Sequence, residues 1–282
     1  MGEVIACANQ KGGVGKTTTV LSIGSYLALD GLRVLVVDAD PQGNATSGLG
    51  VERESLSASV YDILVGDTEV ATVVRATSVE NLFLLPSDRS LAGAEVELVP
   101  MPTRERRLRR ALREAVDRYD YVLLDCPPSL GLLTVNALTA ADSVLIPLQC
   151  EYYALEGLSQ LMATIDLIRE HLNPSLALQG VVLTMHDSRT ALAGDVATEV
   201  RRHLGDRVFD TIVPRSVRLA EAPSYGRPIV QYSGTSRGAL AYRSVTAELL
   251  RRSGRQPGAS LAASAYPEET LSHTVPQVVS VS

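Results

Sequence analysis

Short, almost wholly apolar runs alternate with stretches of helical periodicity along most of this chain. Val4–Ala8, Arg33–Asp38, Leu82–Leu85, Tyr121–Asp125, Ser143–Pro147 and Leu178–Thr184 have strand length and no polar alternation. Between them, Thr17–Leu29, Ala154–His171, Thr190–Leu204 and Arg237–Arg252 read as helices. So does Arg104–Tyr119, where Leu108, Leu112, Ala115, Val116 and Tyr119 recur at helical spacing. Strands without alternation are buried on both faces. Alternating them with helices predicts an α/β fold: a doubly wound, mostly parallel sheet with helices on both faces. Residues 1–253 are expected to form one domain. The Ala/Ser/Pro-rich segment 254–282 has no helical period and is expected to be a disordered tail. No internal repeat is evident.

Composition narrows the class. The chain has 282 residues, 45% hydrophobic, with a net charge of −6. It contains no apolar run of about 18 residues that would span a membrane, and its N-terminus lacks the basic and apolar regions of a signal peptide. Cys7, Cys126 and Cys150 are odd in number and far apart, which argues for a reducing cytoplasm over a disulfide framework. The four histidines show no metal-ligand spacing with them. Charge is unevenly spread: Met1–Val182 has 14 basic and 23 acidic residues, Leu183–Arg255 has 12 and 7. An acidic protein can therefore present a basic late segment. Of the 26 basic residues only Lys11 and Lys16 are lysines, and both lie in one glycine-rich stretch.

That stretch is Lys11-Gly12-Gly13-Val14-Gly15-Lys16-Thr17-Thr18, set between the first strand and the first helix. A strand, a glycine loop and a helix make a P-loop. The glycines let backbone N–H groups converge on phosphate oxygens, and the helix N-terminus adds a favourable dipole. Lys16 is placed to reach the β- and γ-phosphates, the Thr17 hydroxyl to ligate Mg²⁺, and Thr18 to lie near the α-phosphate. Asp38, Asp40 and Asp125 stand at the carboxyl ends of hydrophobic strands, where parallel α/β sheets bind ligands. Asp125 suits a strand-terminal carboxylate supporting Mg²⁺ through water. Cys126 beside it reads as a small buried residue.

The loop has Gln10 where the ordinary motif has its first glycine, and an extra lysine at Lys11. In this it resembles the deviant Walker A ATPases. That resemblance implies that Lys11 contacts the partner's ATP across a nucleotide sandwich dimer. Adding VVDADPQGNAT, DYVLLDCPPS, LIPLQCEYYALEG and VPRSVRLAEAPSYGRPI, the chain from about Val4 to Leu250 closely resembles the ParA/Soj partitioning ATPases. The resemblance implies that Asp40 positions the attacking water and that Asp38 supports the Mg²⁺ and lysine network. It implies a base-binding segment at Pro214 and Ser216, although family members often carry Asn at the latter position. It further implies an ATP-dependent homodimer that binds non-specific double-stranded DNA of the nucleoid through Arg189 and Arg218. A ParB-like centromere-binding protein would stimulate hydrolysis, and no membrane would be involved. The P-loop lies too near the N-terminus for a helix-turn-helix ahead of it, as in the small chromosomal-type form.

Two other readings share the nucleotide chemistry. A MinD-like membrane-associated division ATPase needs a C-terminal basic amphipathic helix, which the tail does not offer. An iron–sulfur reductase needs paired cysteines near a dimer axis, and neither Cys126 nor Cys150 has that family's glycine-flanked context. The arginine-dense stretch from Arg104 to Arg118 is read as a solvated helix face with pairs such as Arg110–Glu114, with a second DNA contact as the other reading.

Overall fold

The computed structural model describes residues 2–151 and 154–262. Its strands are β1 (Glu3–Cys7), β2 (Val34–Asp38), β3 (Arg75–Ala76), β4 (Leu82–Leu85), β5 (Tyr121–Asp125), β6 (Ser143–Gln149) and β7 (Ala177–Thr184). They form one sheet in the order β3-β4-β2-β5-β1-β6-β7, in which only the short edge strand β3 runs antiparallel. The predicted α/β architecture is the one observed.

Strand residues point alternately to the two faces, and each face carries its own apolar layer. Val4, Ala6, Val122 and Leu124 pack with Leu133, Ala137, Leu161 and Ile165. Ile5, Cys7, Val36 and Leu123 pack with Ile23, Leu27, Tyr242 and Val245. On this second face the Lys16–Leu29 helix lies close to the sheet. A Cβ on Gly24 would sit 3.3 Å from both Leu82 Cδ1 and Leu123 Cδ1. The Arg237–Arg252 helix clamps the first helix from outside. The Tyr26 hydroxyl donates to Ala239 O at 2.9 Å, and the Thr19 and Tyr242 hydroxyls are 2.8 Å apart. These contacts fix the helix that begins at the glycine loop.

Three local differences from the sequence reading have physical causes. Arg104–Tyr119 is not one helix but a 3-10 turn (Arg104–Arg106), a helix (Arg107–Leu112) and a second 3-10 turn (Val116–Arg118). Asn136 intervenes at the first junction, accepting from Leu108 N–H at 3.1 Å and donating to Arg104 O at 2.8 Å. Arg107 donates to Leu64 O and, at 2.7 Å, to Asp67. The helix ends before Glu114, so the expected Arg110–Glu114 pair has no helical turn to support it. Leu132–Ala140 is an additional helix whose nearly uniform apolarity hides its period. The third difference is at the predicted tail, whose beginning is packed. Gly258 N–H donates to Asp30 Oδ2 at 2.7 Å, and Leu261 is buried in a short helix, Ala259–Ala262. Residues 263–282 lie outside the described residues.

Gly24→Val should overpack the helix–sheet contact and cost about 2 kcal/mol. Urea denaturation measures it; an unchanged midpoint would show that the helix can lift off the sheet without cost.

Candidate active site

The glycine loop leaves the carboxyl end of β1 and turns on two left-handed residues, Gly13 (φ 76°) and Gly15 (φ 93°). That geometry excludes ordinary side chains and directs amides inward. Open space surrounds the Cβ position of Gly13. The loop is pinned from three sides. Asn9 donates to Pro147 O at 2.8 Å and accepts from Lys11 N–H at 3.0 Å, while the Thr184 hydroxyl donates to Val14 O at 2.9 Å. Gly12 faces Pro128. The Lys16 side chain is buried, and its Nζ donates to Lys11 O at 3.2 Å, curling back across the loop. Thr17 and Thr18 follow in the first turn, half-buried.

Register then gathers the acidic side. Asp38 at the end of β2 lies opposite Asp125 at the end of β5, and Asp125 opposite Cys7 at the end of β1. Asp38 is buried and accepts from Thr46 N–H at 2.8 Å, the Thr46 hydroxyl at 2.6 Å and Asp40 N–H at 3.3 Å. Burial still raises its carboxyl to about 6, with the Asp40 charge adding to the rise. Asp125 is fully buried and neither oxygen has a hydrogen-bond partner. Burial first, then the Asp38 charge, pushes its carboxyl well above the usual range, against the pull of Thr17 and Lys16. Asp40 accepts from Gln42 N–H at 2.9 Å, and its carbonyl accepts from the Ser87 hydroxyl at 2.8 Å.

An orphaned buried carboxylate beside a buried ammonium and a hydroxyl suits a hydrated cation with its anionic partner. Among the described residues no group of three or more His, Cys, Asp or Glu could hold a metal by itself. A cation here would therefore draw on Thr17, water and phosphate oxygens as well as carboxylates, as Mg²⁺ does in phosphate sites.

Residues 2–178 match the family described as AAA domain. The sporulation initiation inhibitor protein Soj of Bacillus subtilis (strain 168) is 57% identical over 249 residues, covering 88% of this chain and 98% of that protein. The chain belongs to the ParA/Soj family of chromosome-partitioning ATPases. The chromosome partitioning protein ParA of Myxococcus xanthus is 52% identical, over 89% of each chain. A solved structure of cobyrinic acid a,c-diamide synthase from Mycobacterium smegmatis, with bound ADP and magnesium, superposes with a TM-score of 0.79. It is 42% identical and covers 92% of this chain and 98% of its own.

The remaining binding residues singled out from the sequence are half-buried or exposed. Lys11 points outward, half-exposed, and forms an ion pair with Glu151 beyond the end of β6. Pro214 bridges to His186 just past β7, and Arg215 N–H donates to His186 O at 3.0 Å. Ser216 starts the Val217–Glu221 helix and packs near Gly238 at the start of the Arg237–Arg252 helix. Arg189 and Arg218 are exposed and ion-paired with Asp187 and Glu221. The cysteines are free and buried, and burial pushes the Cys126 thiol far up, so Cys126 is an inert packing residue. Asn9, Thr46, Ser87, Thr184 and Glu151 escaped the sequence reading. Each supports a loop or carboxylate. Asn9, Ser87, Thr184 and Glu151 do this through contacts between distant segments, which no local spacing records, whereas Thr46 lies only eight residues past Asp38 in the same DADPQGNAT run.

The raised carboxyls set a pH dependence. Asp38 holds its proton to about pH 6 in the fold but only to about 3.9 unfolded, so the nucleotide-free protein gains stability as pH falls from 7.5 through 6. Asp125 acts in the same direction. Asp125→Asn should raise the Tm at pH 7.5 by a few degrees and flatten this gain. A nucleotide-free melt that ignores both pH and the substitution would contradict the orphaned-carboxylate reading.

Proposed function

We propose that this chain is an ATP-driven DNA-partitioning switch. ATP joins two protomers, and the dimer binds nucleoid DNA without sequence preference. A ParB-like centromere-binding partner stimulates hydrolysis and so releases it. The observation that carries the reading is the unsatisfied Asp125 carboxylate in register with Asp38, beside buried Lys16 and a left-handed glycine loop. Such a site is electrostatically complete only with phosphates and a cation.

Phosphoryl transfer needs positioning and charge neutralisation more than covalent chemistry. The amides of residues 12–16 cradle the phosphates, and Lys16 neutralises the β- and γ-oxygens. Thr17, Asp38 and Asp125 would hold Mg²⁺, which would supply charge neutralisation of the phosphates. Asp40, fixed by the Gln42 amide and Ser87, orients the water whose oxygen attacks the γ-phosphorus as the bond to the ADP oxygen breaks. Pro214 and Ser216 flank the base. Lys11 is turned away from its own loop, which supports a role on the partner's phosphates. Arg189 and Arg218 supply exposed charge for DNA phosphates. The protein then acts in the cytoplasm, at the nucleoid. A MinD-like membrane role finds less support: the apolar face of Arg237–Arg252, the last long helix among the described residues, is used in the core.

Lys16→Ala should abolish ATP binding. Lys11→Ala should bind ATP but sediment as a monomer, and a Lys11→Ala dimer would remove the cross-subunit role. DNA-shift assays with ATP, ADP or no nucleotide should show binding with ATP alone. Raising salt from about 50 to 200 mM should weaken it by orders of magnitude. Arg218→Glu should lose the shift; full DNA affinity in that variant would refute its placement, and ATP-dependent sedimentation with liposomes would favour the membrane role.

A further inference from the structure

Both arginines assigned to DNA are already held by carboxylates of their own chain. Arg189 grips Asp187 with two prongs, Nε to Oδ1 at 2.8 Å and Nη2 to Oδ2 at 2.7 Å, and its backbone N–H donates to the same Oδ1 at 3.1 Å. Arg218 Nη1 donates to Glu221 Oε2 at 2.9 Å, and the Tyr232 hydroxyl donates to the same oxygen at 3.0 Å. The two guanidinium side chains are 84% and 59% exposed, so a second anion can reach them without any rearrangement of the fold. We propose that Asp187 and Glu221 are built-in competitors of the DNA phosphates, a carboxylate clamp on each DNA-contacting arginine. The inference rests on the DNA-binding reading above.

A carboxylate and a phosphate present the same kind of oxygen pair to a guanidinium; Asp187 occupies the Nε/Nη2 edge of Arg189 and Glu221 one N–H of Arg218, so a phosphate must displace the carboxylate or share the guanidinium charge with it. DNA binding by Arg189 or Arg218 is therefore opposed by the resident carboxylate, whether that carboxylate is displaced or only shares the charge. Hydrogen bonding from Arg189 holds the Asp187 carboxyl well below the usual range, with the Arg215 charge contributing, so protonation does not open this clamp near neutrality. Displacement is nonetheless local. When Arg218 leaves, Glu221 keeps the Tyr232 hydroxyl; when the Arg189 side chain leaves, Asp187 keeps the Arg189 N–H and the nearby charge of Arg215. Neither carboxylate is left without a partner, so each clamp can open and close without disturbing the loop or helix that carries it.

The magnitude matters because the pairs are exposed. One such pair weakens a competing contact by about threefold. An ATP-joined dimer carries two copies of each arginine, so the penalty compounds to about 80-fold across four clamps. It bears on every DNA contact made through these arginines, and it falls equally on all sequences because it opposes phosphate contacts alone. The clamps thus lower the residence of the dimer on DNA without altering its lack of sequence preference.

The test uses the full chain with ATP and fluorescent duplex DNA at one salt concentration, read by anisotropy. Asp187→Asn and Glu221→Gln keep the neutral hydrogen bonds while removing the charge. Each should tighten binding about tenfold, and the double variant about 80-fold. Asp195→Asn controls for net charge: Asp195 is an exposed carboxylate on the Ala191–Leu204 helix in the same basic segment, and it changes the total by the same unit. Tightening well beyond that control supports the clamps, and the two sites report independently if one variant folds poorly. Wild-type binding with both variants matching Asp195→Asn overturns the clamps alone. Failure of the wild type to bind DNA with ATP overturns the DNA reading and the clamps with it.

Discussion

The structure turns on two carboxylates that parallel pairing forces into the same buried crevice. Asp38 and Asp125 end neighbouring strands in register, and Cys7, which leads into the glycine loop, stands on the other side of Asp125. Burying charge without a partner is costly, and the protein answers it only in part. Thr46 satisfies Asp38, whereas Asp125 has only the pull of Thr17 and Lys16, which burial outweighs. The remaining deficit is a demand for positive charge, and it faces the loop whose amides and buried Lys16 demand negative charge. A nucleotide phosphate with its cation meets both demands at once. Stability withheld from the empty protein is in this way available to the loaded one.

Inward and outward cations are treated differently. Lys16 is buried and meets a carbonyl of its own loop, with donors to spare. The outward cations Lys11, Arg189 and Arg218 are each paired with a carboxylate of the same chain: Glu151, Asp187 and Glu221. On the proposed reading all three act on phosphates that belong to another molecule. Each of those encounters is then opposed by a carboxylate of the same chain. Arg202 and Arg252 are likewise paired, with Glu199 and Glu248 of the same late segment.

Much of the architecture was legible in the sequence because its signals are local. Unalternating strands such as Tyr121–Asp125 announce burial on both faces, and Lys11–Thr18 announces a phosphate loop between a strand and a helix. Where tertiary contacts overrule local preference, the reading failed. Arg104–Tyr119 has helical spacing throughout, yet the Asn136 side chain takes up its backbone groups at one junction and Arg107 reaches across to Leu64. Leu132–Ala140 had no period to read because it is apolar nearly all round. The segment after Gly254 looked unstructured, although Asp30, more than two hundred residues earlier, caps part of it.

The sequence by itself determined the sheet-and-helix order, the glycine loop and the candidate residues, since period, turn chemistry and motif spacing act over a few neighbours. Only the tertiary structure decided how these residues are charged and held. Strand register buried Asp125 beside Asp38, Ser87 came from another segment to brace Asp40, the loop after β2 folded back so that Thr46 braces Asp38, and folded loops set a carboxylate against each outward cation. Desolvation and ion pairing depend on what surrounds a group in space, and that is settled by packing between segments far apart in the chain.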